Sequence, residues 1–87
     1  ICMIVIFHKD FTKDLKKLSP KIQEKFYKRL IIFEVDELNP VLNNHSLKGN
    51  YLGFRSINVT GDLRAVFKKD EEKVLFITLD SHSNLYD

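Results

Sequence analysis

Hydrophobic and polar positions change their period along the chain, and each change predicts a new element. Residues 2–7 form a short apolar run with several β-branched side chains, which predicts a buried β-strand. Phe11, Leu15 and Leu18 then recur at helical spacing, so a short helix is expected to start near Asp10. The chain is therefore expected to open with a strand followed by a helix.

A second helix is indicated by local signals at both of its ends. Ser19 can cap the first turn, and Pro20 suits the first helical position. The expected buried stripe consists of Ile22, Phe26, Leu30 and Phe33. Asn39-Pro40 is expected to end the helix, because the residue before a proline is disfavoured in the α region. The two helices are expected to form a short hairpin.

From about Tyr51 the hydrophobic period changes to two, which predicts β-strands. In the first strand one face is expected to carry Arg55, Ile57 and Val59, and the other Phe54, Ser56 and Asn58. The "TGD" segment, residues 60–62, predicts a tight turn with Gly61 at positive φ. In the next strand Leu63, Ala65 and Phe67 are expected to alternate with Arg64, Val66 and Lys68.

The last apolar run completes the predicted fold. Residues 74–79 follow the "KKDEEK" turn and predict a central strand that is covered on both faces. The order β-α-α-β-β-β predicts an α+β fold, with a helical hairpin packed on a small antiparallel sheet. At 87 residues the chain is expected to form a single domain, residues 1–87.

Composition narrows the class of protein only slightly. The hydrophobic fraction of 44% and the charged fraction of 30% are typical of a soluble globular protein. A single cysteine excludes an internal disulfide and a cysteine-cluster metal site, and it suits a reducing cytoplasm. Residues 2–7 are too few to cross a bilayer, so no association with membranes is expected.

Basic residues concentrate in the predicted helical hairpin, although the formal net charge is only +2. The cations of this segment are Lys9, Lys13, Lys16, Lys17, Lys21, Lys25, Lys28 and Arg29. Such a surface suits a polyanion such as nucleic acid. Lysines on a solvated helix face explain the same pattern, so both interpretations stay open.

Residues that could carry chemistry surround the predicted strands. His45 precedes the first strand of the meander and His82 follows the last, and such segments can converge at one end of an antiparallel sheet. Two imidazoles there, with Lys48, Arg55 or Arg64 on a phosphate, would suit metal-free cleavage of RNA. Histidine can both accept and donate a proton near neutral pH. Solvated loop histidines and strand arginines explain the same pattern. The histidines lack the spacing of metal ligands, so neither a metal nor a cofactor is expected.

Several segments resemble one superfamily of bacterial toxins. "HSLKGNYLGFRSINV", "DLRAVF" and "DSHSNLYD" resemble the RelE/ParE superfamily, and most of all the YafQ-like branch of RelE messenger-RNA interferases. The branch has a His-x-Leu-x-Gly loop before an aromatic-Arg strand, matched here by residues 45–49 and by Phe54-Arg55. Its Gly-Thr-His-x-x-Leu-Phe-like tail is matched by residues 81–86. "FTKDLKKLSPKIQEKF" resembles the family's helical hairpin, so the likeness covers nearly the whole chain.

The resemblance implies a toxin of a type II toxin-antitoxin system with the RelE-like microbial ribonuclease fold. Such a toxin would be a ribosome-dependent endoribonuclease, which cuts messenger RNA in the ribosomal A site by attack of a 2′-OH on the neighbouring phosphate. The implied partners are a cognate antitoxin, the ribosome and its messenger, and operator DNA only through the antitoxin complex. No cofactor is implied.

The same resemblance implies roles for individual residues. His45 and His82 match the branch's catalytic histidines, with His82 as the general acid. Asp62 matches its acidic turn residue, and Arg64 matches a RelE-type strand arginine, so both are expected to be catalytic. The residues expected to bind RNA or phosphate are Lys48, Arg55 and the aromatic Tyr86.

The chain also departs from the YafQ-like pattern. That branch has a histidine at the position of Asn58, a tryptophan at Leu63 and a basic residue near Thr78. Arg64 is a candidate to replace the missing charge from an adjacent strand. A ParE-like toxin that poisons DNA gyrase without cutting RNA remains an alternative, as does a decayed, non-toxic member. The histidine pair favours cleavage, because ParE-type chains need no proton-transfer residues.

Overall fold

The computed structural model describes residues 3–81, which form two helices on one face of a five-stranded sheet. The helices are α1 (Lys9–Lys16) and α2 (Pro20–Val35). The strands are β1 (Ile4–Phe7), β2 (His45–Ser46), β3 (Arg55–Asn58), β4 (Leu63–Asp70) and β5 (Lys73–Ser81). The strand order is β1-β5-β4-β3-β2. Short 3-10 turns occupy Pro40–Leu42 and Gly49–Tyr51.

The predicted α+β class, with a helical hairpin and an antiparallel meander of β3, β4 and β5, is confirmed. The sequence did not predict that β1 pairs with β5 in parallel, which makes the sheet mixed. It also did not predict β2, which is too short to show a periodic pattern and pairs with β3 through Ser56 and Arg55. Both pairings bring together residues that are far apart in the sequence.

The two faces of the sheet have different surroundings. On the helix face, Ile57, Val59, Ala65 and Phe67 are buried in one cluster with residues of both helices. The opposite face, called the open face below, carries His45, Ser56, Asn58, Arg64, Val66 and Asp80, which follow from alternation and cross-strand pairing. The predicted alternation of β3 and β4 is therefore confirmed.

Local sequence signals predicted both helix starts correctly, but they predicted the end of α2 too late in the chain. The Ser19 hydroxyl caps α2 by accepting a hydrogen bond from the Ile22 amide, and Pro20 is the first helical residue. The predicted end at Asn39-Pro40 is wrong, because α2 ends at Val35 and Asp36 is already extended. Asn39 and Pro40 instead begin the next 3-10 turn.

The sequence analysis overestimated the burial of β1 and β5. In β1, Ile4 and Ile6 are 47% and 46% exposed, because β1 is an edge strand and no helix covers the open face. In β5, Val74 and Phe76 are buried on the helix face, whereas the open-face side chains Leu75 and Ile77 are only partly buried. Within residues 3–81, no helix has the length and apolar character needed to cross a membrane.

Candidate active site

Arg64 of β4 connects β3 to the segment that precedes β2. Its side chain is 2% exposed, and its Nε donates to the Ser56 hydroxyl at 2.8 Å. Its Nη1 donates to Asn58 Oδ1 at 3.3 Å, and its Nη2 donates to the Ser56 carbonyl at 3.1 Å. Nη2 also donates to the Asn43 carbonyl at 2.6 Å, across β3 from its own strand. The guanidinium is therefore held from inside the protein, which suits a positioning role.

His45 is oriented by the same carbonyl that Arg64 contacts. Its ring Nδ1 lies 2.8 Å from the Asn43 carbonyl oxygen. A carbonyl oxygen only accepts hydrogen bonds, so Nδ1 must carry the hydrogen. In the neutral ring Nε2 then carries the lone pair. His45 is thus held in the form whose Nε2 can act as a base.

Arg55 occupies the other side of the sheet from His45. It pairs with the buried Phe67 across the strands, on the helix face. Its Nε donates to Asn44 Oδ1 at 2.9 Å, and its Nη2 donates to the Asn44 carbonyl at 3.4 Å. The structure therefore does not bring Arg55 together with His45 and Arg64 on the open face.

Asp62 lies in the exposed turn between β3 and β4. The Thr60 hydroxyl accepts hydrogen bonds from the Asp62 amide at 3.3 Å and from the Leu63 amide at 3.0 Å. The prediction that Gly61 has a positive φ is wrong, since the glycines at positive φ are Gly49 and Gly53. The threonine hydroxyl, rather than a left-handed glycine, holds this turn.

Lys48 is exposed at the start of the 3-10 turn that follows β2. Its neighbour Leu47 is buried against Val66 in a second small cluster, with Phe54 packed beside it. The Leu47 amide also donates to the Phe54 carbonyl at 2.9 Å. Lys48 therefore extends from a segment that is anchored to the open face near His45.

His82 and Tyr86 lie outside the described residues, so their predicted roles remain predictions. The described part of β5 ends at Ser81, which pairs with Leu63 beside the turn that carries Asp62. Within residues 3–81, no group of three or more His, Cys, Asp and Glu residues could hold a metal ion.

Sequence reasoning missed the residues that hold His45, Arg64 and Arg55. The Asn43 carbonyl accepts from His45 and Arg64, whereas Asn44 accepts from Arg55. The side-chain oxygens of Ser56 and Asn58 also accept from Arg64. The one available signal is the "NN" pair before His45, because asparagine tolerates the left-handed conformation that Asn43 adopts at φ 48°.

Comparison with known proteins places the chain among bacterial toxins. Residues 3–87 match the sequence profile of a family described as bacterial toxin of type II toxin-antitoxin system, YafQ. No curated protein matches the chain.

Solved structures share the fold. The chain is similar to a structure of the E. coli DinJ-YafQ toxin-antitoxin complex, with a TM-score of 0.77, 20% identity and 100% coverage of both chains. The YoeB dimer from Staphylococcus aureus gives a TM-score of 0.76 at 19% identity, covering 94% of this chain and 99% of that one. The YoeB/ParE toxin from Agrobacterium tumefaciens gives 0.74 at 16% identity, with 92% and 99% covered. These identities show a common fold, and the family match over nearly the whole length shows that the chain belongs to the YafQ family of type II toxin-antitoxin toxins.

Proposed function

We propose that this toxin is a ribosome-dependent endoribonuclease that cuts messenger RNA by attack of a 2′-OH on the neighbouring phosphate. The hydrogen bond from His45 Nδ1 to the Asn43 carbonyl carries the proposal, because it leaves Nε2 as the basic atom of the neutral ring. A basic imidazole nitrogen on an open sheet face can accept the proton of a 2′-OH. His45 is therefore the general base.

Arg64 supports the proposed chemistry by contacting the Asn43 carbonyl that orients His45. Its hydrogen bonds to Asn43, Ser56 and Asn58 hold the guanidinium and the Asn43 carbonyl in fixed positions. A group that is already held in its productive position needs no reorganisation when the reaction occurs. Arg64 therefore acts as a positioning residue, and exposed Lys48 is the candidate for direct contact with phosphate.

The remaining roles rest on the resemblance of the sequence to the YafQ-like branch. His82 donates a proton to the leaving 5′-oxygen, Asp62 supplies an acidic group beside the site, and Tyr86 contacts a base or positions the phosphate. Arg55 helps to hold the segment before His45, which fits its contacts better than direct binding of RNA.

Partners follow from the family and from the distribution of charge. A cognate antitoxin is proposed because the similar E. coli YafQ occurs in a complex with DinJ. The lysines of α1 and α2 are exposed and would meet ribosomal RNA phosphates. Operator DNA would be bound only through the antitoxin complex. We further propose that residues 1–87 form one domain that works in the cytoplasm.

The proposal is tested by mapping messenger 5′ ends in a translating extract by primer extension. The intact protein is expected to give cuts at the ribosomal A site, and His82→Ala is expected to lose them by about a hundredfold or more. An absence of cuts, in an extract where a known interferase works, would overturn the proposal. Inhibition of gyrase would then indicate a ParE-like toxin, and normal growth on expression would indicate a decayed member.

A further inference from the structure

We propose that Asn43-Asn44 is a positioning element for His45. Arg64 donates a hydrogen bond to Asn43 from the open face, and Arg55 donates one to Asn44 from the helix face. Together these contacts keep the His45 ring in the form with its hydrogen on Nδ1. The inference rests on the proposed function only in that His45 serves as a base. The element itself exists whether or not RNA is cut.

The open-face half of the element depends on the backbone of Asn43. Asn43 has φ 48° and ψ 50°, in the left-handed region, and its amide donates to the Pro40 carbonyl at 3.2 Å. Its own carbonyl accepts from His45 Nδ1 at 2.8 Å and from Arg64 Nη2 at 2.6 Å. One oxygen with two lone pairs thus serves both donors. The left-handed conformation suits asparagine and glycine and penalises β-branched residues.

The helix-face half fixes Asn44 to the rest of the fold. Its Nδ2 donates to the Glu37 carbonyl at 2.9 Å, just after α2, while its Oδ1 accepts from Arg55 Nε at 2.9 Å. The Glu37 carboxylate in turn pairs with Lys69 Nζ of β4 at 2.7 Å. Asn44 is therefore connected to the end of α2 and, through Arg55, to β3.

The element is needed because β2 cannot hold His45 by itself. The strand has only two residues, and its pairing with β3 ends at His45 and Ser56. A ladder this short adds no strand pairing before His45, and a displaced general base reacts poorly even when it is present. The two arginines supply the restraint that a longer strand would give.

The test reads the ring form of His45 directly, by nitrogen-15 NMR of the neutral imidazoles at high pH, assigned with His45→Gln. Wild type and Asn43→Gly are expected to show hydrogen on Nδ1, since glycine adopts the same backbone conformation. Asn43→Val is expected to move the ring toward the other form and to lower cleavage by about a hundredfold. Asn50→Val, at an exposed position without a positive φ, serves as the matched control and keeps both properties.

Asn44→Ala tests the helix-face half and remains informative if Asn43→Val does not fold. It removes the side-chain contacts to Arg55 and Glu37 while leaving every open-face side chain in place. It is expected to give a mixture of the two ring forms. Hydrogen on Nε2 in the wild type, or an unchanged ring in both variants, would overturn the inference.

The NMR test of the positioning element and the cleavage test of the nuclease proposal can fail independently of each other. If His45 carries hydrogen on Nδ1 but the wild type cuts no messenger, the positioning element stands and the nuclease proposal falls. If messenger is cut while the ring carries its hydrogen on Nε2, the nuclease proposal stands and the positioning element falls.

Discussion

Arg64 and His45 donate hydrogen bonds to the same backbone oxygen, the carbonyl of Asn43, at 2.6 Å and 2.8 Å. A buried cation of the sheet and a histidine at its edge are thereby joined through a single atom. Displacement of the guanidinium would free the carbonyl to turn and would change the environment of the imidazole. Stability and chemistry at this site are therefore expected to be coupled.

Replacement of Arg64 by methionine is expected to lower the free energy of unfolding by about 3 kcal/mol. The change removes the charged donor from the buried Ser56 hydroxyl and from the Asn43 carbonyl. Urea titration measures the loss. Lys73→Met, at an exposed position of β5, is the matched control and should change stability by less than about 0.5 kcal/mol. Equal stability of the two variants would contradict the central position given to Arg64.

Arg55 and Lys48 are expected to respond differently to the same substitution by glutamine. Arg55→Gln should lower stability by about 1–2 kcal/mol through lost contacts to Asn44, with little effect on the affinity for RNA. Lys48→Gln should leave stability unchanged. It should reduce the slope of log RNA affinity against log salt concentration by about one. Urea titration, with fluorescence anisotropy of a labelled RNA at several salt concentrations, separates the two. Unchanged stability of Arg55→Gln, with a reduced salt dependence of RNA binding, would instead support Arg55 as a phosphate ligand.

The turn between β3 and β4 contains a structural residue, Thr60, and a proposed catalytic residue, Asp62. Thr60→Val should cost about 1 kcal/mol of stability, because its hydroxyl accepts hydrogen bonds from two turn amides. Asp62→Asn should leave stability within about 0.5 kcal/mol and lower messenger cleavage by about tenfold or more, because it removes the proposed acidic group. Thermal unfolding and the cleavage assay are run on both variants. Full activity of Asp62→Asn would remove Asp62 from the site.

Local chemistry made part of the fold predictable. The Ser19-Pro20 pair marked the start of α2 because both the cap and the fixed proline φ act within one turn. Alternation placed Arg64 and Ile57 on opposite faces, because strand side chains have a period of two. The parallel pairing of β1 with β5 had no such signal, since its partners, such as Ile4 and Lys73, are joined only by the tertiary fold.

Contacts of the candidate site that involve the backbone could not be predicted from the sequence. The motif resemblance pointed to His45 and Arg64, but it could not show that Arg64 reaches across to Asn43, 21 positions away in the sequence. Alternation had placed Arg55 on the same face as Ile57 and Val59, but no sequence pattern showed that Arg55 holds Asn44. Contacts to carbonyl oxygens leave no residue pattern, because every residue has a carbonyl.

The most direct test of the nuclease account compares His45→Asn with His8→Asn in programmed, translating ribosomes, with messenger cuts quantified over time. His8 is an exposed cap of α1, and asparagine caps helices well, so this control should retain the wild-type rate. His45→Asn removes the basic nitrogen and is expected to slow A-site cleavage by about a hundredfold or more. Cleavage by His45→Asn at the wild-type rate would contradict the assignment of His45 as the base, and an absence of cleavage by the wild type would contradict the nuclease itself.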